Sequence, residues 1–132
     1  MRTFQLYGSA AVMLLALSAP ALAEGDATKG KTAYEKCVIC HQVGPNAQNT
    51  VGPELNNIVG RKAASVSGFA YSPGMKKLGD EAFIWSEENI DKLIASPKAM
   101  LPDSPMSQLF TGIPDAQERA DIITYLKTVP AQ

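Results

Sequence analysis

Cys37-Val38-Ile39-Cys40-His41 is the stretch on which the reading of this chain turns. Its two thiols stand three positions apart, on adjacent faces of one helical turn, so both can reach the vinyl groups of a single porphyrin. The imidazole follows at once, where it can rise to the iron. This C-x-x-C-H spacing reads as covalent attachment of a c-type haem. Two other readings use the same residues. A thioredoxin-like dithiol needs a strand before the motif and a βαβ frame, and no segment here alternates convincingly as a strand. A plain disulfide with His41 as a bystander would close a loop so short that it constrains the unfolded chain very little.

The flanks agree with the haem reading. Residues 1–23 read as an export signal: Arg2 gives a positive start, an apolar run extends from Ala10 to Leu17, and Ala21-Leu22-Ala23 has the small-x-small pattern that a signal peptidase cuts. A retained membrane anchor fits less well, because the apolar stretch is shorter than the ~20 residues a bilayer core requires and Pro20 stops it. Cleavage between Ala23 and Glu24 is expected, leaving residues 24–132 as one exported domain in the periplasm. Haem attachment of this kind takes place outside the cytoplasm.

Charge and ligand counts exclude other classes. The chain has 12 basic and 13 acidic side chains, and losing Arg2 leaves a net charge of −2. A nucleic-acid binder would need a clustered excess of Lys and Arg to meet phosphates. One His and two Cys cannot supply the four ligands of a structural zinc site.

Three helices read out of the pattern. The first spans about Ala27 to Cys37 with Asp26 as N-cap. The second begins after Ser86, shows Ile90, Leu93 and Ile94 on one face, and stops before Pro97. The third follows Asp115 with Glu118 completing a capping box, carries Ile122, Ile123, Tyr125, Leu126 and Val129, and ends at Pro130. A further short helix is expected near Pro73 to Leu78. The fold class is all-α: three main helices plus loops, too thin a core to stand without a cofactor.

Beyond the motif, the chain resembles the class I cytochromes c, in the group of soluble bacterial proteins similar to mitochondrial cytochrome c. The resemblance rests on Gly30, Cys37 to His41, Val51-Gly52-Pro53-Glu54-Leu55, Gly60-Arg61-Lys62, Gly68 to Ser72, Trp85, Ser96-Pro97-Lys98, Pro102 to Met106 and Glu118 to Leu126. It implies a small cytochrome c fold around one haem c, with His41 and Met106 as axial ligands. Met106 lies nine residues after Pro97 and four after Pro102, the family spacing for the sulfur; Met100 and Met75 remain as alternatives. The resemblance also implies that the Pro53 carbonyl accepts a hydrogen bond from His41, and that Arg61, Tyr71, Trp85 and Ser104 donate to the haem propionates. Gly30 and Tyr125 match the crossing of the first and last helices.

The chain departs from mitochondrial relatives in three places. Gly79-Asp80-Glu81 reads as extra surface loop, the stretch after Met106 is longer, with Phe110 a candidate for the aromatic over the haem, and Leu93 replaces a common tyrosine. The function implied is a monomeric periplasmic electron carrier, not an enzyme. It would shuttle single electrons between a quinol-oxidising complex and a terminal oxidase or reaction centre. The competing expectation is a dedicated haem subunit or electron acceptor of a periplasmic dehydrogenase. Lys36 and Lys98 match the lysines that ring the exposed haem edge in relatives.

Overall fold

Side-chain caps start five of the helices. Asp26 accepts from the Lys29 amide at 2.9 Å, Ser72 from Met75 at 3.3 Å, Ser86 from Asn89 at 3.1 Å, Ser104 from Ser107 at 3.2 Å, and Asp115 from Gln117 at 2.8 Å. Each satisfies an amide that has no partner in the first turn. The computed structural model describes residues 23–130, so the expected signal segment lies outside the described residues apart from Ala23. Among the described residues the elements are α1 (Ala27–Ala33), α2 (Glu35–Val38), α3 (Pro73–Asp80), α4 (Glu87–Ala95), α5 (Pro97–Met100), α6 (Pro105–Leu109) and α7 (Ala116–Leu126). Extended pairing is confined there to two isolated bridges, His41 with Asn49 and Lys62 with Ile84. The class is all-α, as expected.

Several boundaries differ from the sequence pattern, each for a local reason. The first expected helix is divided at Tyr34, where the Cys37 amide reaches back only three residues to the Tyr34 carbonyl at 2.8 Å and tightens the turn. The Tyr34 hydroxyl meanwhile donates to the His41 carbonyl at 2.7 Å, bending the chain back over its own helix. Gly79 and Asp80, expected in a surface loop, complete the last turn of α3. Gly79 is buried there because its missing side chain admits the Ala63 carbonyl, to which a Cβ would approach within 2.9 Å. The extra residues after Met106 are likewise helical, in α6. The capping box is half formed: Asp115 caps α7, but the Glu118 carboxylate pairs with Lys36. Helix α7 stops at Leu126, four residues before Pro130.

The core joins Ile122, Ile123 and Leu126 of α7 to Ile90 and Ile94 of α4, with Tyr34, Trp85, Leu101 and Ile113 filling between them. Leu93 is only partly buried at its edge. Helix α1 crosses α7 where Gly30 meets Asp121 and Tyr125; a Cβ on Gly30 would stand 2.9 Å from that of Tyr125. The Tyr34 and Tyr125 rings lie 5.4 Å apart at the same crossing. Asp121, polar and buried, escaped the apolar pattern. Its carboxylate accepts from the Asp26 amide at 2.8 Å and from Gln117 at 3.0 Å, which stitches the start of α1 to α7.

Candidate functional site

Helix α2 and the turn after it carry the C-x-x-C-H residues. Cys40 and His41 amides both bond to the Cys37 carbonyl, at 3.0 and 2.8 Å, so the three side chains fan out from one tight turn. Cys37 and Cys40 are free thiols, both partly buried. Burial, and then the neighbouring Cys40, pushes the Cys37 thiol up to about 11, so it is un-ionised at neutral pH.

The His41 ring is fixed from two sides. Its Nδ1 lies 2.8 Å from the Pro53 carbonyl oxygen. A carbonyl only accepts, so Nδ1 carries the hydrogen and Nε2 keeps the lone pair that a metal would use. Gly52 presses on the ring: a Cβ there would come within 2.6 Å of Nδ1 and 2.9 Å of Nε2. Burial lowers the His41 pKa below 6.5, keeping the imidazole neutral and able to ligate, although the Pro53 bond opposes that shift. The sequence pattern had given Gly52 no role of its own; the ring it supports is eleven residues away along the chain.

The other expected residues fall into three groups. Arg61 and Trp85 are joined through the backbone, the Trp85 amide donating to the Arg61 carbonyl at 2.9 Å. The Arg61 guanidinium bonds the carbonyls of Asn56 and Glu54, both at 2.9 Å, and forms an ion pair with the Glu54 carboxylate at 3.4 Å. Trp85 is buried edge-on to Phe83, at 5.1 Å between centroids, and its indole N–H makes no hydrogen bond among the described residues. Tyr71 accepts from the Val66 amide at 3.0 Å, and burial raises its pKa, so the phenol retains a hydrogen to donate. Ser104 stands apart. Its single hydrogen goes to the Leu101 carbonyl at 2.9 Å while its oxygen caps α6 through the Ser107 amide at 3.2 Å. Met106 is in the first turn of that helix.

Met75, Met100 and Met106 all lie partly buried against the core, with Leu55, Val59 and Phe110. A polar cavity of about 470 Å³, lined by Gln48, Asn49, Glu54, Asn56, Arg61 and Ser65, opens on the Arg61 side. It touches neither the cysteines nor His41, so it does not serve as the apolar haem seat. The donor set itself fits a covalently held haem. Two unjoined thiols flank an imidazole whose Nε2 is unclaimed among the described residues, beside half-covered thioethers and aliphatic chains. Lys36, matched by the resemblance to the lysine ring around the haem edge, is paired with Glu118.

Comparison with known proteins agrees with this chemistry. The family profile described as cytochrome c matches residues 27–130. Cytochrome c2 of Rhodomicrobium vannielii is 46% identical over 118 residues, covering 89% of this chain and 90% of the relative. Cytochrome c2 of Blastochloris viridis is 41% identical over 115 residues, covering 87% and 86%. The solved structure of cytochrome c2 from Rhodospirillum centenum superposes with a TM-score of 0.70 at 34% identity, covering 81% of this chain and 100% of that one. With two thiols placed for covalent attachment and a histidine held ready beside them, the chain belongs to the cytochrome c family, as a cytochrome c2-like electron carrier with one haem c and not an enzyme.

Proposed function

We propose that this protein is a periplasmic carrier that passes single electrons between membrane complexes, with His41 and Met106 as the axial ligands of its haem. The observation that carries the ligand assignment is the 2.8 Å contact between His41 Nδ1 and the Pro53 carbonyl, which fixes the tautomer and leaves Nε2 as the ligating nitrogen. The haem supplies a one-electron ferric/ferrous couple, and the protein supplies its surroundings. Gly52 and Pro53 hold the imidazole in one orientation, so little has to move when the charge at the site changes. The Met106 thioether, as the second ligand, would keep small molecules off the iron and raise its potential relative to two nitrogen ligands. Arg61, Tyr71 and Trp85 offer a fixed cation, a phenol and an indole N–H to the propionates. Ser104 would join them only by giving up its hydrogen bond to the Leu101 carbonyl.

Residues 1–23 act as a cleaved signal, and residues 24–132 as the cytochrome c domain in the periplasm. Its partners are a quinol-oxidising complex on the donor side and a terminal oxidase or reaction centre on the acceptor side, met transiently by a monomer. The test is spectroscopic. Ferric protein should show the weak far-red band of sulfur-to-iron charge transfer, lost in Met106→Ala and kept in Met100→Ala and Met75→Ala. Loss in Met100→Ala with retention in Met106→Ala would overturn the assignment. N-terminal sequencing of the periplasmic protein should begin at Glu24.

A further inference from the structure

The segment from Leu101 to Phe110, which holds Met106, is held to itself by many hydrogen bonds and to the rest of the molecule by very few. Ser104 bonds Leu101, and the Ser107 hydroxyl is within reach of the Pro102 and Ser104 carbonyls at 3.0 and 2.7 Å. The Leu101 amide reaches back to Pro97 at 2.8 Å. Among the described residues, the hydrogen bonds that leave this neighbourhood both end on one side chain, Asp103. Its Oδ2 accepts from the Gly74 amide at 2.7 Å, and its Oδ1 accepts from the Ser72 hydroxyl at 3.3 Å. Ser72 is the N-cap of α3 and Gly74 lies in its first turn.

We infer that Asp103 is the positioning residue that fastens the Met106 segment to α3 and so sets how readily the sulfur leaves the iron. The chemistry suits the task. A carboxylate facing the first turn of a helix meets unpaired amides and the positive end of the helix dipole. Hydrogen bonds to an ionised acceptor are shorter and stronger than neutral ones. The fit is also close on the other side. A Cβ on Gly74 would stand 2.5 Å from Asp103 Oδ1, so glycine is what lets the carboxylate reach the backbone. Ser72 serves both partners, taking the Met75 amide on its lone pair while giving its hydrogen to Asp103. Met106 stands three positions after Asp103, so slack at the clasp is transmitted to the thioether through less than one helical turn.

This inference rests on Met106 being the ligand, and its test separates the two claims. Imidazole is titrated into the ferric holoprotein, where it competes with the thioether for the iron. Asp103→Ala and Gly74→Ala should each tighten imidazole binding by about five- to twentyfold, at the low end for hydrogen bonds to a charged group because Asp103 is exposed. The first removes the carboxylate, and the second displaces it while leaving it present. Asp103→Asn keeps one acceptor and should fall between them and the parent. Amide exchange at Gly74 should quicken in Asp103→Ala, a readout that does not depend on the haem. Unchanged imidazole affinity in both Asp103→Ala and Gly74→Ala, with the far-red band still lost in Met106→Ala, would overturn the clasp alone. Retention of that band in Met106→Ala would overturn the ligand reading instead, while quickened Gly74 exchange would still support the clasp between Asp103 and α3.

Discussion

Gly52 lies flat against the imidazole of His41, and the backbone leaves it no room to retreat. Its amide donates to the Cys40 carbonyl and its own carbonyl accepts from the Thr50 amide, both at 2.9 Å. A Cβ added there would come within 2.6 Å of His41 Nδ1. Gly52→Ala must therefore push the ring away from the Pro53 carbonyl or strain the turn, at a cost of about 1–3 kcal/mol. The expected outcome is a lowered thermal midpoint together with altered ferric ligand-field bands. Gly44→Ala, with open space around its Cβ position but a left-handed φ of 104°, is the comparison. It should lower the midpoint and leave those bands unchanged. Unaltered bands in Gly52→Ala would show that the ring is not held from this side.

The cysteines give the most direct test of attachment. Cys37→Ala and Cys40→Ala should each leave one thioether, seen as a red shift of the reduced pyridine complex of the haem. The double variant should release its haem to acidified acetone. The same double variant tests the dependence of the fold on the cofactor. Leu55, Val59, Met75, Met106 and Phe110 pack against the core and are only partly buried. A cooperative unfolding transition of normal size without haem would contradict that dependence.

Acid stability should report on Asp121. The Asp26 amide and the Gln117 side chain hold its carboxyl below the ordinary 3.8. A depressed folded-state pKa stabilises the native protein above the unfolded value and loses that contribution as pH falls through the lower folded value. Asp121→Asn keeps an oxygen for the Asp26 amide and removes the ionisation. Its unfolding midpoint should therefore depend less steeply on pH below about 4 than that of the parent, while at pH 7 the parent is the more stable. Parallel curves through that window would show that Asp121 has the same affinity for protons folded and unfolded.

Helix starts were legible in the sequence because a capping side chain acts within three residues of itself, as at Ser86 and Asp115. The C-x-x-C-H motif was legible for the same reason: its geometry is that of one turn. Long-range pairings were not. Nothing near Asp103 marks Gly74 as its partner, and Asp121 in α7 reads as one more polar helix position until the start of α1 is laid across it. Gly79 was misplaced because a glycine signals either a loop or a close approach, and only the Ala63 backbone packed against it tells which. The break at Tyr34 escaped for a related reason, since the hydroxyl contact to His41 that accompanies it belongs to the next turn of chain.

Association with a partner should be governed more by apolar contact than by the lysines. Lys36 is already neutralised by Glu118, and although such exposed pairs contribute only about 0–1 kcal/mol to stability, they cancel the local field that would steer a distant partner. Lys98, exposed at the surface in α5, forms no ion pair among the described residues. Exposed aliphatic side chains flank the attachment motif, Val38 and Ile39 between the cysteines and Val51 next to Gly52, with Ile39 exposed by 78%; Leu109 in the Met106 helix is exposed by 70%. The net charge of −2 that cleavage of the proposed signal would leave adds a weak field that salt removes first, because the screening length is about 8 Å at physiological ionic strength. Stopped-flow association should therefore slow only a few-fold between low and physiological salt. Lys98→Ala should slow it about two- to threefold and Lys36→Ala by a similar factor, because removing Lys36 unmasks the negative charge of Glu118. Ile39→Asp should slow it more than either, by placing a charge where the contact must dry. A rate falling by decades with salt would show that charge steers the encounter after all, and an unaffected Ile39→Asp would show that docking uses another face.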